Sequence, residues 1–209
     1  MFKKLFADRK HHSTQEPHTG QLDEVTLNDS TSRELTPELE AELADENYPD
    51  SPPLLSARGT DYRFLRSYLA QEQWKKADQE TVRVLLQTAQ KSEQGWLSSG
   101  DLAEFPCQDL ATIDQLWVHY SRGQCGFSVQ TRLWLDCGGV VPEEDYEAYK
   151  KFAELVGWRK KGEWLFYDKL IFNVDRSPRG HLPSFRRAGG REMIFFRMIT
   201  CRLCPTQSH

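Results

Sequence analysis

Residues 95–129, GWLSSGDLAEFPCQDLATIDQLWVHYSRGQCGFSV, crowd Trp96, Phe105, Trp117, Tyr120 and Phe127 between the chain-turning residues Gly95, Gly100, Pro106, Gly123 and Gly126. Such a stretch can only form several short elements packed close together. From Asp109 onward Leu110, Ile113, Leu116, Trp117 and Tyr120 fall at helical spacing, which predicts a helix of about three turns with one apolar face. Gly123-Gln124-Cys125-Gly126 then turns the chain and returns Phe127 and Val129 toward that face. An aromatic helix with an aromatic segment folded back on it is either a filled core or the wall of a slot for something flat and apolar. The residues alone leave both open.

The 209-residue chain carries a net charge of −4, unevenly spread. Residues 1–58 hold 12 acids against 6 Lys/Arg, whereas residues 59–209 hold 19 acids against 21 bases and all six tryptophans. The first segment, rich in Ser, Thr, Pro, Asp and Glu, has too little apolar surface to offset the entropy of ordering. It reads as a disordered acidic tail, with a brief helix from the Thr36-Pro37 start signal to about Ala44. Residues 59–205 read as one domain, long enough for a single core. No basic signature marks the whole chain for nucleic acid, and no apolar run reaches membrane-spanning length. The basic-apolar start, residues 1–6, could make a weak peripheral membrane contact. Five scattered cysteines do not form a secreted disulfide framework, so a reducing cytoplasmic setting is expected.

Within the domain, helical period predicts a helix from Asp61 to about Gln73 and a second over 75–91 with Ala77, Thr81, Val84, Leu85 and Thr88 on one face. A short helix follows Ser98, another spans 128–137, and a further one begins after Pro142, with Tyr146, Tyr149, Phe152, Ala153 and Val156 as its apolar face, and stops at Gly157. Residues 158–164, WRKKGEW, form a basic turn between two tryptophans; residues 165–172 fit a short helix or an extended piece equally. From Arg176 the chain holds seven arginines and one acid, interleaved with Phe185, Phe195 and Phe196. Strict alternation is scarce, so the domain is expected to be mostly helical.

Catalysis finds little support. There is no nucleophile elbow, phosphate-cradling glycine loop or His-Glu metal spacing. Cys201 and Cys204 have C-x-x-C spacing, yet a lone pair is half a tetrahedral zinc site, and no clustered protein ligands for a metal are evident. His119 and His181 read as surface or structural residues. Binding fares better. A planar aromatic ligand with anionic substituents wants apolar walls and cations at one rim, and arginine's planar fork suits carboxylates. An aromatic wall followed by an arginine-rich segment meets that description, as would a solvated basic tail or a stacking surface for nucleic acid.

The run DLAEFPCQDLATIDQLWVHYSRGQCGFSVQ, followed by VGWRKKGEWLFYDKLIF and RGHLP, closely resembles the "genomes uncoupled" family of porphyrin-binding regulators of magnesium chelatase, over residues 61–183 and more loosely to Cys201. The resemblance implies an all-α, single compact domain in a cupped-hand arrangement with a greasy concave surface. It implies a non-enzymatic regulator that binds protoporphyrin IX or Mg-protoporphyrin IX and stimulates the chelatase through its large porphyrin-binding subunit. The setting would be a cyanobacterial cytoplasm or a plastid stroma. Phe105, Ile113, Leu116, Trp117, Phe127, Val129, Trp158, Trp164 and Leu165 fall in the motifs and would line the cup, the two-tryptophan loop serving as a mobile flap. Arg179, Arg186 and Arg187 are the candidates for the propionates, and any magnesium would belong to the ligand. The alternative is a helical protein-interaction module that keeps the fold without a chelatase role.

Overall fold

The computed structural model describes residues 35–140, 146–184 and 192–204. Residues 1–6, Arg186 and Arg187 lie outside them. Its elements in order are α1 (Pro37–Glu42), α2 (Arg63–Ala70), α3 (Trp74–Thr88), α4 (Ser99–Ala103), α5 (Cys107–Tyr120), α6 (Phe127–Asp136), α7 (Tyr146–Leu155), β1 (Arg159–Lys160), β2 (Glu163–Trp164) and α8 (Glu192–Thr200). The fold is mostly helical, as the scarcity of alternation predicts. The sole sheet among the described residues is the two-residue hairpin β1–β2.

The α2–α3 hairpin packs on α5 with Trp117 at the centre. The Trp117 ring stacks on Trp74 with centroids 6.2 Å apart, and its Nε1–H donates to Thr81 Oγ1 at 2.9 Å. A buried indole must place its one donor somewhere, and Thr81 sits one turn after Ala77 on the core stripe of α3 to receive it. Leu110, Ile113, Leu116 and Phe127 are all enclosed with it. Of the two possibilities left open for the aromatic helix, this end of the molecule takes the filled core.

At the turn into α6, Gly126 has φ +128°, and a Cβ there would stand 2.9 Å from both Asp114 Oδ1 and Val118 Cγ2. Only glycine fits both the angle and the gap. The approach lets Asp114 Oδ1 accept from the Ser128 N–H at 2.8 Å, satisfying a first-turn donor of α6.

Two segments differ from expectation. Residues 35–58 are not a free tail. Leu43 is 1% exposed, and the buried Arg66 donates to Asp45 and to the Leu43 carbonyl, both at 2.6 Å, with its guanidinium 4.2 Å from the Tyr48 ring centroid. Farther along, Asp109 accepts from Ser56 Oγ, the Ala57 N–H and Tyr62 Oη. The strap is tied down chiefly through polar partners, Arg66, Asp109 and Thr112, which donates to the Leu55 carbonyl at 2.7 Å, so composition does not reveal it. The brief helix expected from Thr36 is present as α1, with Thr36 Oγ1 accepting from the Leu39 N–H.

The arginine-rich C-terminus is likewise not a solvated tail throughout. Its residues 192–200 form α8, which buries Met193, Ile194, Phe195 and Met198 against α4, α5 and α6. Cys201 does not pair with Cys204. It forms a disulfide with Cys107, while Cys125, Cys137 and Cys204 are free.

Candidate functional site

The two tryptophans of WRKKGEW belong to one tight hairpin. Arg159 pairs with Trp164 and Lys160 with Glu163. Lys161 and Gly162 both have positive φ, 52° and 85°, the two-residue turn whose twist matches the strands it joins. The Leu165 N–H donates to the Trp158 carbonyl and closes the ladder. Arg159 is committed inside the hairpin, donating to Glu154 and to the Gly162 carbonyl.

The tryptophans do different things. Trp158 is 5% exposed, packs edge-on against Phe152 at 5.4 Å, and donates Nε1–H to the His181 carbonyl at 2.7 Å. It anchors the hairpin. Trp164 is half-buried and stacks on Tyr149 of α7 at 5.7 Å, leaving surface open to solvent. After it come half-buried Leu165, Phe166 at 70% exposure, half-buried Tyr167, then Ile171 at 42% and half-buried Phe172. A short 3-10 turn, Tyr167–Lys169, resolves the ambiguity of residues 165–172. Exposed Lys160, Lys161, Lys169, Arg176 and Arg179 surround this run along the chain.

The RGHLP motif works as stitching beneath that surface. Gly180 has φ +77°, and a Cβ would meet Leu133 Cδ1 at 2.7 Å. That closeness lets Gln130 of α6 donate to the Gly180 and Pro183 carbonyls at 2.9 and 2.8 Å. His181 accepts at Nε2 from the Ile171 N–H at 2.9 Å, so its proton resides on Nδ1, which donates to the Val156 carbonyl at 2.6 Å. At the end of the motif the buried Asp78 of α3 accepts from the Ser184 N–H at 2.6 Å and from Ser184 Oγ and Tyr167 Oη, both at 2.9 Å. One carboxylate thus ties both ends of the 167–184 loop to α3.

Burial depresses the His181 imidazole below its ordinary value of 6.5. The unfolded chain therefore takes up a proton first as pH falls, so the contribution of His181 to stability is present above about 6.5 and is lost below it. Urea midpoints should fall as pH drops through 6.5 toward 5. In His181→Phe, which cannot titrate, that part of the slope should disappear.

Phe105, Ile113, Leu116, Trp117, Phe127, Val129 and Trp158 are all buried, so in this conformation they belong to the core and not to an open surface. Trp164 and Leu165 are half-buried and Arg179 is exposed. Arg186 and Arg187 lie outside the described residues. Sequence reasoning passed over Phe166, Ile171, Asp78 and Gln130. Asp78 had a signal, since it stands four residues after Trp74 and three before Thr81, on the core stripe of α3. A separate cleft of about 200 Å³, lined by Arg58, Thr88, Gln90, Asp101, Glu104 and Phe105 among others, is below the roughly 300–1,000 Å³ of ordinary ligand pockets. Among the described residues no group of three or more His, Cys, Asp or Glu could hold a metal ion. No described helix is long and apolar enough to cross a membrane.

Residues 55–197 match the family model described as GUN4-like. The chain is 35% identical over 163 residues to the Ycf53-like protein of Synechocystis sp., covering 77% of this chain and 66% of that protein. It is 27% identical over 146 residues to the chloroplastic tetrapyrrole-binding protein of Arabidopsis thaliana, 65% of this chain and 52% of that one. It thus spans less than two thirds of either relative. Among solved structures, GUN4 from Chlamydomonas reinhardtii superposes with a TM-score of 0.56 at 26% identity, over 71% of this chain and 93% of that one. The ligand-free Arabidopsis thaliana GUN4 gives 0.52 at 26% identity, over 72% and 100%.

Proposed function

The chain belongs to the GUN4-like family, and we propose from that premise that it binds a tetrapyrrole at the hairpin and the segment that follows it. The observation that carries the reading is the largely apolar run Trp164 to Phe172, with Phe166 70% exposed, between a hairpin anchored by Trp158 on the His181 carbonyl and a loop tied to Asp78. A large aromatic side chain left in water at the edge of an otherwise filled core is surface waiting for a partner. A flat macrocycle laid on it removes apolar area from water at about 25 cal/mol per Å², and the rings already stacked behind Trp164 spare the ligand the cost of ordering them.

The charges support an anionic ligand. Lys160, Lys161 and Arg179 are exposed around the run, and carboxylates such as propionates would pair with them, Arg179 in a forked geometry. Arg186 and Arg187 follow Ser184 in sequence and remain candidates for the same role. Trp164 and Leu165 touch the ligand and Trp158 anchors the hairpin that carries them, whereas Phe105, Ile113, Leu116, Trp117, Phe127 and Val129 are core in this conformation. Protoporphyrin IX and Mg-protoporphyrin IX are the proposed ligands, any magnesium arriving on the macrocycle. The protein performs no chemistry of its own. With one face of the ligand exposed, it would present the pigment to the large porphyrin-binding subunit of magnesium chelatase and stimulate that enzyme.

Mixing the purified chain with deuteroporphyrin should shift and sharpen the Soret band in a saturable way. An unchanged band at micromolar protein would remove the tetrapyrrole reading and favour a protein-interaction module on the same fold.

A further inference from the structure

We propose that Cys107 and Cys201 form a reversible thiol–disulfide exchange site through which a dithiol reductant tunes the hairpin's hold on its ligand. The inference rests on the tetrapyrrole reading above and adds its regulation.

The bond joins elements far apart in sequence. Cys107 is the first residue of α5 and Cys201 directly follows α8, 94 residues later, with Cα atoms 5.5 Å apart. Both are half-buried, so a reductant can reach them, whereas Cys125 and Cys204 are buried. Burial pushes the Cys125 thiol up to about 11 and raises Cys204 and the half-buried Cys137 as well, Cys137 with help from Asp136, leaving little thiolate to compete. Position also favours exchange at Cys107. The N-terminal end of a helix stabilises a thiolate, which makes its sulfur the better leaving group. Beside the bond, Arg197 Nε donates to the Phe105 carbonyl at 2.7 Å, a second and weaker link between α8 and the entry to α5.

From α8 a contiguous chain of rings leads to the hairpin. Phe195 packs on Phe152 at 5.2 Å. Phe152 meets Trp158 at 5.4 Å and Tyr149 at 6.0 Å, and Tyr149 stacks on Trp164 at 5.7 Å. With the disulfide closed, the C-terminal end of α8 is pinned to α5 and Phe195 is held against Phe152. With it open, that end is free to fray, and the rings behind both hairpin tryptophans lose their backstop. These packed rings supply the contiguous route between the bond and the hairpin.

In the exchange, one thiolate of the reductant attacks Cys201 Sγ, the S–S bond breaks, and Cys107 leaves as a thiolate that takes a proton. The reductant's second thiol then resolves the mixed disulfide, leaving Cys107 and Cys201 as thiols and the reductant as a disulfide. The reverse exchange with an oxidised partner of the same class closes the bond.

The test uses the full chain, oxidised or treated with a thioredoxin-type dithiol, read by alkylation mass and by deuteroporphyrin titration. Reduction should expose two further alkylatable cysteines in a protein that keeps its far-ultraviolet dichroism, and should weaken deuteroporphyrin binding about five-fold or more. Cys107→Ser and Cys201→Ser should each show the weaker affinity whatever the redox treatment, while Cys204→Ser should switch like the parent. Equal affinity in both redox states, or a bond the dithiol cannot open in folded protein, would overturn the coupling and leave tetrapyrrole binding standing. Absence of binding in both states would remove the tetrapyrrole reading, and the coupling with it.

Discussion

Truncating Trp164 to alanine should weaken deuteroporphyrin binding about ten-fold or more and cost less than about 1.5 kcal/mol of stability. Trp158→Ala should act chiefly on stability. It opens a cavity beside Phe152 and strips the His181 carbonyl of its donor, so a loss of about 3–5 kcal/mol is expected. Both residues flank the same hairpin and carry the same ring. The difference arises because one ring lies in the core and the other is half in water, stacked on Tyr149. Urea midpoints and Soret titrations on the two variants separate the roles. If Trp164→Ala bound the macrocycle as tightly as the parent, the contact surface would have to be sought elsewhere.

The second large effect is expected at Asp78. Its carboxylate receives the Ser184 N–H, Ser184 Oγ and Tyr167 Oη. Hydrogen bonds to a charged acceptor contribute about 1.5–3 kcal/mol each, and a buried donor left alone costs its full desolvation. Asp78→Ala should therefore destabilise the chain by about 3 kcal/mol or more. Amide protection should fall first across residues 167–184, with α5 still protected. Binding should weaken as well, because the segment that presents Phe166 and Ile171 is no longer tied at both ends. Asp78→Asn, which retains an acceptor, should lose less. Equal protection of the loop in Asp78→Ala and parent would mean that other contacts hold it.

Much of the fold can be read from periodicity. The face of α5, the α2–α3 hairpin and the face of α7 all follow from apolar residues three and four apart. What escaped reading is held by polar atoms. The strap at residues 35–58 depends on Arg66 and Asp109, the loop at 167–184 on Asp78, and the RGHLP motif on Gln130 and His181. A buried ion or amide bonds to partners distant in sequence, 106 residues for Asp78 and Ser184, and no local pattern announces the pairing. The segment at 193–199 is a different case. Its apolar run was legible as a core helix but was overshadowed by the arginines around it.

The site divides in the same way. The hairpin itself is legible, because two tryptophans and an X-Gly turn are visible in the letters. Whether a given aromatic faces solvent or its neighbours depends on which face of a short helix meets which other helix. For Ile113, Leu116, Trp117 and Phe127 that answer is the interior.

Amide hydrogen exchange of the full chain, with and without saturating deuteroporphyrin, tests the central claim most directly. Protection gained on binding should centre on residues 160–176, with little change in α5, whose apolar face is enclosed in the core. Protection gained chiefly within residues 107–134, with the hairpin and Phe166 unaffected, would contradict it.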